Sequence, residues 1–244
     1  MPLKSKESIS LVLLFYNEEG NIVSVVEGVR DALDKAGYNF QLILVNNGSS
    51  DNTPELIDEL TLSDGRLKSV TVEVNRGYGW GVISGLNSAD GEWIGYMDGD
   101  GQISPASLLR VMRWIDSDYD MIKARRALRL DGFVRRWISN IYVMSFCLLF
   151  NVPFYDVNAK PRIFKRSWLD FLQLKSTDWF IDAEMIAKAG KLDLRIKEIP
   201  VVFRERDAGK SSVNFRAILQ FIKNIFTYRF GKYLKDWEQR LRQN

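Results

Sequence analysis

The sequence contains no histidine and only one cysteine, Cys147. The lack of histidine excludes a Ser-His-Asp triad, a histidine general base and a histidine-ligated zinc site. A single cysteine cannot form an internal disulfide, and its position in an apolar run predicts a buried thiol and a reducing compartment. Catalysis by this chain must therefore use carboxylates, amides, lysine, arginine or a hard metal ion.

A large excess of charge of either sign is also missing. The 34 basic and 31 acidic residues give a formal net charge of +3, which argues against a general nucleic-acid binder. The first residues are charged and lack the apolar core of a secretory signal, so we expect the catalytic body in the cytoplasm. With 244 residues, 46% of them hydrophobic, the chain can bury a substantial core.

Four short apolar runs predict β-strands, and the segments between them predict helices or loops. Apolar residues recur at helical spacing in Ile22–Ala36, which predicts the first helix. This alternation indicates the α/β class, with a mostly parallel central sheet flanked by helices. The apolar runs are Ile9–Phe15, Phe40–Val45, Val70–Val74 and Trp93–Met97.

Polar residues follow the first, second and fourth apolar runs, at the points where the strands are expected to end. The carboxyl ends of parallel strands lie along one edge of a sheet, where open α/β sheets bind their ligands. We therefore expect the three polar segments to line one crevice. They are Asn17–Glu19, Asn46–Asp51 and Asp98–Gln102.

The third of these segments has the pattern of a site for a divalent metal ion. Asp98 and Asp100 alternate at the end of an apolar strand, so both carboxylates can face one point, and Gln102 continues the period. Oxygen ligands suit Mg²⁺ or Mn²⁺, which proteins often share with substrate phosphates. A glycine-rich Asx turn is the competing interpretation.

The segment Asn75–Gly85 is rich in glycine and could be mistaken for a dinucleotide-binding turn. The turn after the first strand, where a Rossmann fingerprint normally lies, reads FYNEE instead. We interpret the glycines as permitting a tight turn and close packing of a helix. Arg76, within this segment, could face a phosphate or solvent.

Two later segments bear on membrane contact. Trp137–Tyr155 contains no charged residue, but polar residues and Pro153 interrupt it, which predicts a buried or interfacial helix rather than a transmembrane span. Phe215–Phe230 places apolar residues on one helical face with basic residues nearby. A helix lying on a membrane and a helix packed on the domain fit this second pattern equally well.

Five motifs occur in a fixed order along residues 8–230: LLFYNEEGNI, VNNGSSDNT, NRGYGWG, DGDGQ and RDAGKS. Together they resemble family 2 glycosyltransferases, and within that family the polyprenyl-phosphate sugar transferases of the dolichol-phosphate mannose synthase type. The resemblance implies a GT-A fold, an inverting mechanism, a nucleoside-diphosphate-sugar donor and Mg²⁺ or Mn²⁺ as cofactor. It also implies a dolichyl or undecaprenyl phosphate acceptor at the cytoplasmic face of a membrane. We expect a catalytic domain over residues 1–212 and an amphipathic helical tail over residues 213–244.

The resemblance also implies which residues bind the metal and the donor. Glu18 matches the ribose partner, and the segment from Arg206 to Ser211 matches a loop that closes over the donor. Asn46 and Asn47 replace the usual carboxylates at the base-reading position, and an amide both donates and accepts, so uracil, guanine and cytosine all stay open. The implied metal ligands are Asp98, Asp100 and Gln102. The implied donor contacts are Phe15, Tyr16, Glu18, Asn46, Arg76, Asp98, Gly99, Asp100, Arg206 and Ser211.

The remaining implied residues serve catalysis and the acceptor. Arginine suits phosphate because its planar fork pairs with phosphate oxygens in a fixed geometry. Asp182 and Glu184 could cap a helix and hold the acceptor loop, the preferred role, or one could be a general base. The implied catalytic residues are Asp98, Asp100, Arg125, Arg135 and Asp182. The implied acceptor contacts are Arg136, Ser139, Lys160 and Arg162.

The lack of histidine favours a phosphate acceptor, because a phosphate oxygen is already ionised near neutral pH and can attack without a base. Two alternatives stay open. One is transfer to a glycan hydroxyl in polysaccharide or glycoconjugate synthesis, with Asp182 or Glu184 as base. The other is a catalytically silent scaffold subunit of a membrane complex. Membrane contact could come from either segment named above or from a separate membrane protein.

Overall fold

The computed structural model of the chain describes residues 8–127, 143–153, 156–204 and 215–243. Strands and helices alternate over the first half, as the sequence predicts. In chain order the elements are β1 (Ser8–Phe15), α1 (Ile22–Ala36), β2 (Asn39–Asn46), α2 (Thr53–Ser63), β3 (Leu67–Thr71), α3 (Tyr78–Asn87), β4 (Trp93–Asp98), α4 (Pro105–Met112), β5 (Met121–Arg126), α5 (residues 143–150), β6 (Arg162–Lys165), α6 (Leu169–Leu172), α7 (Ile181–Lys191), β7 (Ile196–Val201), α8 (Phe215–Phe230) and α9 (Tyr233–Leu241).

The strands form one seven-stranded sheet in the order β3-β2-β1-β4-β6-β5-β7. The first four strands run parallel to one another, and β7 runs parallel to β5. Only β6 runs antiparallel to its neighbours, β4 and β5. With helices flanking it, the mostly parallel sheet confirms the predicted fold class.

The strand β1 shows why the apolar runs are continuous. Leu11 and Leu13 pack into the core on one face of the sheet, while Val12 and Leu14 pack into the core on the other. A strand covered on both faces has no side that favours polar residues. The core that contains Val12 and Leu14 also contains residues of α3, α5 and α7 to α9, and the core that contains Leu11 and Leu13 contains residues of α1, α2 and α4.

The third predicted strand was placed too far along the chain. The structure has β3 at Leu67–Thr71 rather than Val70–Val74, because Leu42–Asn46 of β2 pairs with that range. Val74 lies beyond the sheet and is exposed. Three-residue shifts of this kind arise when the pairing register, rather than the local apolar pattern, sets the strand's bounds.

The helix predicted over Phe215–Phe230 has those bounds in α8. Its Ile225 and Tyr228 are buried in the same core as Leu234 and Trp237 of α9, so its inner face is packed on the domain. The expected boundary between residues 212 and 213 lies outside the described residues. No helix in the described ranges is long and apolar enough to cross a membrane.

Only part of the apolar segment Trp137–Tyr155 is described, and its residues 143–150 form α5. Phe146 and Phe150 are buried on the inner side of this helix and stack on each other with ring centroids 4.5 Å apart. Cys147, predicted to be buried, is only partly covered. The described part of the segment is therefore an amphipathic helix packed on the domain.

Candidate active site

Three polar loops meet at one edge of the sheet. Phe15 at the end of β1 lies opposite Asn46 at the end of β2, and Leu14 lies opposite Asp98 at the end of β4. Because the three strands are adjacent and parallel, the loops that follow them share the carboxyl edge. This confirms that the three polar strand exits lie side by side.

The first two loops are tied together by backbone-to-side-chain hydrogen bonds. The Asn17 amide N–H donates to Ser49 Oγ (3.1 Å), and the Ser50 N–H donates to Asn17 Oδ1 (2.8 Å). The Glu18 N–H donates to Thr53 Oγ1 (3.0 Å). Asn17 has a φ of 53°, a left-handed conformation that asparagine tolerates better than most residues. These bonds hold the two loops in a fixed position relative to each other at the carboxyl edge of the sheet.

The expected nucleoside contacts differ in their accessibility. Tyr16 is exposed, and the half-buried Glu18 accepts a hydrogen bond from Asn21 Nδ2 at 2.5 Å. Asn46 is buried, and its Oδ1 accepts the Ser49 N–H at 2.9 Å. Tyr16 is therefore the most open of these side chains towards solvent.

Phe15 was expected to contact the donor, and the structure corrects this. Its side chain is completely buried, and a Cβ added at Gly99 would collide with its ring. Gly99 thus lets the turn after β4 lie directly on Phe15. The phenylalanine supports the crevice from below and does not line it.

The substitution of an amide for a carboxylate at Asn47 has a local explanation. Asn47 is buried, and its Nδ2 donates to the carbonyl oxygen of Gly77 at 3.3 Å. An aspartate could not make this bond, because an ionised carboxylate only accepts hydrogen bonds. Asn47 therefore joins the end of β2 to the glycine-rich turn before α3.

The glycine-rich turn packs against the segment formed by residues 176–179. Gly77 has a φ of 107°, and the Trp80 N–H donates to the carbonyl of Thr177 at 3.1 Å. A Cβ at Gly79 would collide with the carbonyl oxygens of Ser176 and Asp178. Close packing is therefore the reason for Gly77 and Gly79, and a Cβ at Gly85 would likewise collide with Val12 of the sheet, so the predicted close packing of the helix is confirmed.

Arg76 precedes the same turn and is exposed. Its guanidinium carbon lies 5.3 Å from the ring centroid of Trp80, within cation–π range. The side chain is thereby oriented while its polar edge remains accessible to a ligand. This position is compatible with both roles predicted from the sequence, a phosphate contact and a solvated cation.

Asp98, the last residue of β4, receives two polar contacts. Tyr78 donates its hydroxyl to Asp98 Oδ1 at 2.8 Å, and Lys160 Nζ lies 3.3 Å from Asp98 Oδ2. The aspartate side chain is 32% exposed, so it is still accessible to a ligand. Part of its negative charge is therefore balanced by the protein itself.

Asp100 and Gln102 build the turn that follows. Asp100 is buried, and its Oδ1 accepts the Gln102 N–H at 3.1 Å. Gln102 uses its side-chain nitrogen to donate to the carbonyl of Arg204 at 3.1 Å. The third member of the predicted metal set thus also fixes the chain just before residues 205–214.

The chemistry of this turn fits a hard divalent cation. The described residues hold no group of three or more acidic, histidine or cysteine side chains able to bind a metal ion. Mg²⁺ is commonly held by one or two carboxylates together with substrate phosphates. Asp98, Asp100 and the amide of Gln102 supply oxygen ligands of this kind at a strand exit that faces the crevice.

Lys160 is the cation at the centre of the site. Its Nζ lies 3.2 Å from Asp182 Oδ2, in addition to the Asp98 contact, and 4.5 Å from the Tyr78 ring centroid. Burial lowers the pKa of Lys160, but the Asp182 and Asp98 carboxylates raise it by more, so the net pKa lies above its ordinary value. Lys160 therefore remains charged although its side chain is almost completely covered.

The loop that carries Lys160 is anchored from beneath by two buried cations. Lys123 Nζ donates to the Asp156 carbonyl and, at 2.7 Å, to Glu198 Oε1. Arg162 donates to the carbonyls of Val157 and Ala159 and, at 2.6 Å, to that of Asp182. Arg162 is completely buried, so this geometry does not fit its predicted role as an acceptor contact. It holds the loop instead.

Asp182 and Glu184 are buried on α7 and engaged by protein groups. Asp182 accepts a hydrogen bond from Tyr96 Oη at 2.6 Å, and Glu184 accepts the Ser176 N–H at 2.7 Å. Neither caps the helix: Asp178 Oδ1 accepts the Phe180 N–H at 2.9 Å. The expectation of a cap was therefore wrong, while the geometry of both residues favours holding neighbouring segments over acting as a base.

Arg125 lies at the same edge of the sheet. Tyr96 of β4 is opposite Arg162 of β6, and Arg162 is opposite Lys123 of β5. Two positions further towards the carboxyl edge, the same register places Lys160 between Asp98 and Arg125. The other predicted residues Arg135, Arg136, Ser139, Arg206 and Ser211 lie outside the described residues.

Sequence reasoning missed an aromatic pair that borders the acidic turn. Tyr78 and Trp179 stack with ring centroids 4.3 Å apart and planes at 10°. Lys160 Nζ lies 5.6 Å from the Trp179 ring centroid. The one hint of this pair in the sequence is the tyrosine inside the glycine-rich turn. The residues around Trp179 do not indicate that it packs on Tyr78.

Residues 10–170, more than half of the chain, match the family model described as Glycosyl transferase family 2. The chain belongs to this family and is a glycosyltransferase, as its ordered motifs and strand exits predict.

Among its curated relatives are two bacterial enzymes named undecaprenyl-phosphate 4-deoxy-4-formamido-L-arabinose transferase. The one from Proteus mirabilis (strain HI4320) is 26% identical over 221 residues, which cover 90% of this chain and 67% of the relative. The one from Aeromonas hydrophila subsp. hydrophila is 27% identical over 224 residues, with the same coverages.

Solved structures confirm the GT-A architecture. Glucosyl-3-phosphoglycerate synthase from Mycobacterium tuberculosis, in complex with phosphoglyceric acid, superposes with a TM-score of 0.73 at 17% identity. The alignment covers 92% of this chain and 80% of that one. The same enzyme with Mn²⁺, uridine diphosphate and glucosyl-3-phosphoglycerate gives a TM-score of 0.71 at 17% identity, with the same coverages.

Proposed function

We propose that this glycosyltransferase moves a sugar, with inversion, from a nucleoside-diphosphate sugar to a polyprenyl phosphate such as undecaprenyl phosphate. The observation that carries the proposal is the clustering of Asp98, Asp100 and Lys160 where three parallel strands end. Carboxylates there suit a metal-bound diphosphate, and the adjacent cations suit a second phosphate. The names of the two bacterial relatives support the lipid phosphate as acceptor.

Asp98, Asp100 and Gln102 are the residues that would hold Mg²⁺ or Mn²⁺. When bound, such an ion neutralises the charge that develops on the departing diphosphate. The protein's part is to keep the carboxylates in place: Tyr78 and Lys160 orient Asp98, and the Gln102 N–H orients Asp100. The crystallised neighbours with Mn²⁺ or Mg²⁺ and uridine diphosphate support this cofactor.

The donor is proposed to lie along the ends of β1, β2 and β4. Glu18 is the proposed ribose partner, and Asn46 the proposed reader of the base. Arg76 and the segment from Arg206 to Ser211 are proposed to contact the diphosphate from the open side. The full set of proposed donor contacts is Tyr16, Glu18, Asn46, Arg76, Asp98, Gly99, Asp100, Arg206 and Ser211.

The acceptor phosphate is proposed to approach from the side of Lys160 and Arg125. An ionised phosphate oxygen can attack without a general base. The environment of the two acidic side chains on α7 supports an acceptor of this kind. Asp182 and Glu184 are both buried and hydrogen-bonded to the protein, which leaves them poorly placed to deprotonate a hydroxyl. Arg135, Arg136 and Ser139 remain predicted contacts for the same phosphates.

The reaction is then an in-line displacement at the anomeric carbon. An acceptor phosphate oxygen forms the new bond to C1, and the bond from C1 to the diphosphate oxygen breaks on the opposite face. Lys160 and Arg125 hold the attacking phosphate, and the walls formed by Tyr78 and Trp179 limit access of water. We further propose that the enzyme acts as a peripheral protein at the cytoplasmic face of a membrane, with residues 1–212 as its catalytic domain.

Nucleotide binding gives the first test. We expect one of uridine, guanosine, cytidine and thymidine diphosphates to raise the melting temperature of the purified protein, and to do so only with Mn²⁺ or Mg²⁺. Saturation at about 100 times Kd stabilises a protein by about 2.7 kcal/mol, a readily measured shift. The nucleotide that acts also identifies the base read by Asn46.

The control is the same panel with nucleoside monophosphates, which lack the second phosphate and should shift the transition much less. A protein that responds to none of the diphosphates would contradict the donor site and favour the silent scaffold. Transfer to a soluble glycan that is abolished by Asp182→Asn would favour the hydroxyl acceptor instead.

A further inference from the structure

Two helices present large apolar side chains to solvent. On α5, Met144 and Leu148 are exposed one turn apart, and Leu148 is 83% exposed. On α8, Phe226 and Phe230 are also one turn apart and stack with ring centroids 5.8 Å apart, Phe230 being 62% exposed. Each helix also has a buried side that packs on the domain. The exposed apolar residues therefore recur with the helical period on the outer side of each helix.

The two pairs belong to one surface. Arg229 of α8 donates from Nε to the Leu149 carbonyl of α5 at 2.7 Å, and its guanidinium lies 5.5 Å from the Phe230 ring centroid. One residue therefore touches both helices beside both apolar pairs. We name this surface the α5–α8 face and define it by Met144, Leu148, Phe226 and Phe230.

The charged residues in the sequences of the two helices that form this face are all basic. The sequence of α8 contains Arg216, Lys223 and Arg229 but no aspartate or glutamate, and residues 143–150 carry no charge. Lys223 and Lys232 are exposed beside the aromatic pair. Apolar side chains flanked by cations complement a bilayer that contains anionic lipid, because the tails take up the former and the headgroups pair with the latter.

The face is also joined to the active site. Asn224 of α8 donates from Nδ2 to Asp178 Oδ2 at 2.7 Å, and Tyr228 Oη lies 3.1 Å from Ser176 Oγ. The segment so held includes Trp179, which stacks on Tyr78, the residue that donates to Asp98. The helix that carries the exposed aromatic pair is therefore connected to the proposed catalytic carboxylate by three successive contacts.

We infer that the α5–α8 face is a docking surface for an anionic phospholipid bilayer, and that α8 lies in the interface with Phe226 and Phe230 inserted. The inference rests on the proposed function for its lipid-linked acceptor, whose phosphate must reach the crevice while its chain stays in the bilayer. Docking through α8 satisfies this, because α8 borders the segment that forms one wall of the site. Membrane contact is then direct and requires no partner protein.

The test is sedimentation of the full chain with phosphatidylcholine vesicles, with and without phosphatidylglycerol. We expect binding to the vesicles that contain phosphatidylglycerol, weakened by salt. Leu148→Asp and Phe230→Asp should each weaken binding by about tenfold or more, because each removes a large inserted side chain. Leu62→Asp is the matched control, since Leu62 is 89% exposed on α2, a helix of the opposite core.

The outcomes separate docking from catalysis. Absence of binding by the unmodified chain, or equal losses in all three variants, would overturn the docking surface. A dimer in solution that Leu148→Asp dissociates would also overturn it, and would make the face a contact between two copies. In each case, nucleotide-induced stabilisation and transfer to detergent-solubilised acceptor report separately on the proposed function, which stands if both persist.

Discussion

Asp100→Asn is expected to abolish most of the transferase activity while leaving the fold intact. The substitution replaces a carboxylate by a neutral amide at the centre of the proposed metal set. The charge that develops on the departing diphosphate is then no longer neutralised by a bound metal ion. Loss of one preorganised electrostatic contact commonly costs about 10²–10³ in kcat, and we expect at least this much. The measurement is turnover of the nucleotide sugar at saturating metal.

Asp90→Asn provides the matched control, because Asp90 is exposed in the turn before β4 begins. It makes the same chemical change away from the crevice and should leave turnover unchanged. The metal-dependent nucleotide stabilisation should be lost in Asp100→Asn and kept in Asp90→Asn. Full activity of Asp100→Asn would remove Asp100 from the metal site.

Lys160→Met should strongly reduce both stability and activity. Lys160 links Asp98 to Asp182, and removing it leaves two neighbouring carboxylates without their shared cation. Deleting one partner of a buried ion pair typically lowers the free energy of unfolding by about 3–5 kcal/mol. Chemical denaturation measures this loss, and turnover at a temperature where the variant is folded measures the effect on activity.

A double variant separates charge from packing. In Lys160→Met with Asp182→Asn, one of the two carboxylates that have lost Lys160 becomes neutral, so part of the lost stability should return. Lys68→Met, at an exposed lysine on β3, should change the free energy of unfolding by no more than about 0.5 kcal/mol. If the double variant is less stable than the sum of its parts, the ion-pair account of Lys160 is incorrect.

The parts of the site that could be predicted from the sequence are those that follow from topology. Asp98 and Asp100 follow a strand buried on both faces, and strands alternating with helices must pair in parallel. The three polar loops then meet at one edge, whatever the details of side-chain packing. The same reasoning gave the bounds of α1 and α8, because their apolar period is a local property.

The parts that escaped prediction depend on long-range contacts. Lys160 and Asp98 are separated by 62 positions in the printed sequence, and only the antiparallel insertion of β6 beside β4 brings them together. Phe15 and Arg162 stand next to site residues in the sequence, but the pleat and the loop geometry turn them into the core. Position in the sequence therefore identifies the correct loops, but it does not show which side chains within them are accessible to a ligand.

The most direct test of the central claim is transfer of a labelled sugar to undecaprenyl phosphate by the purified chain. The donor carries the base identified by nucleotide binding, and the assay contains Mn²⁺ and detergent. The account predicts that label enters an organic-extractable polyprenyl-phosphate sugar, with release of one nucleoside diphosphate per sugar and no product from Asp100→Asn. Label that appears only in a water-soluble glycan, or no transfer by a protein that binds the nucleotide, would contradict it.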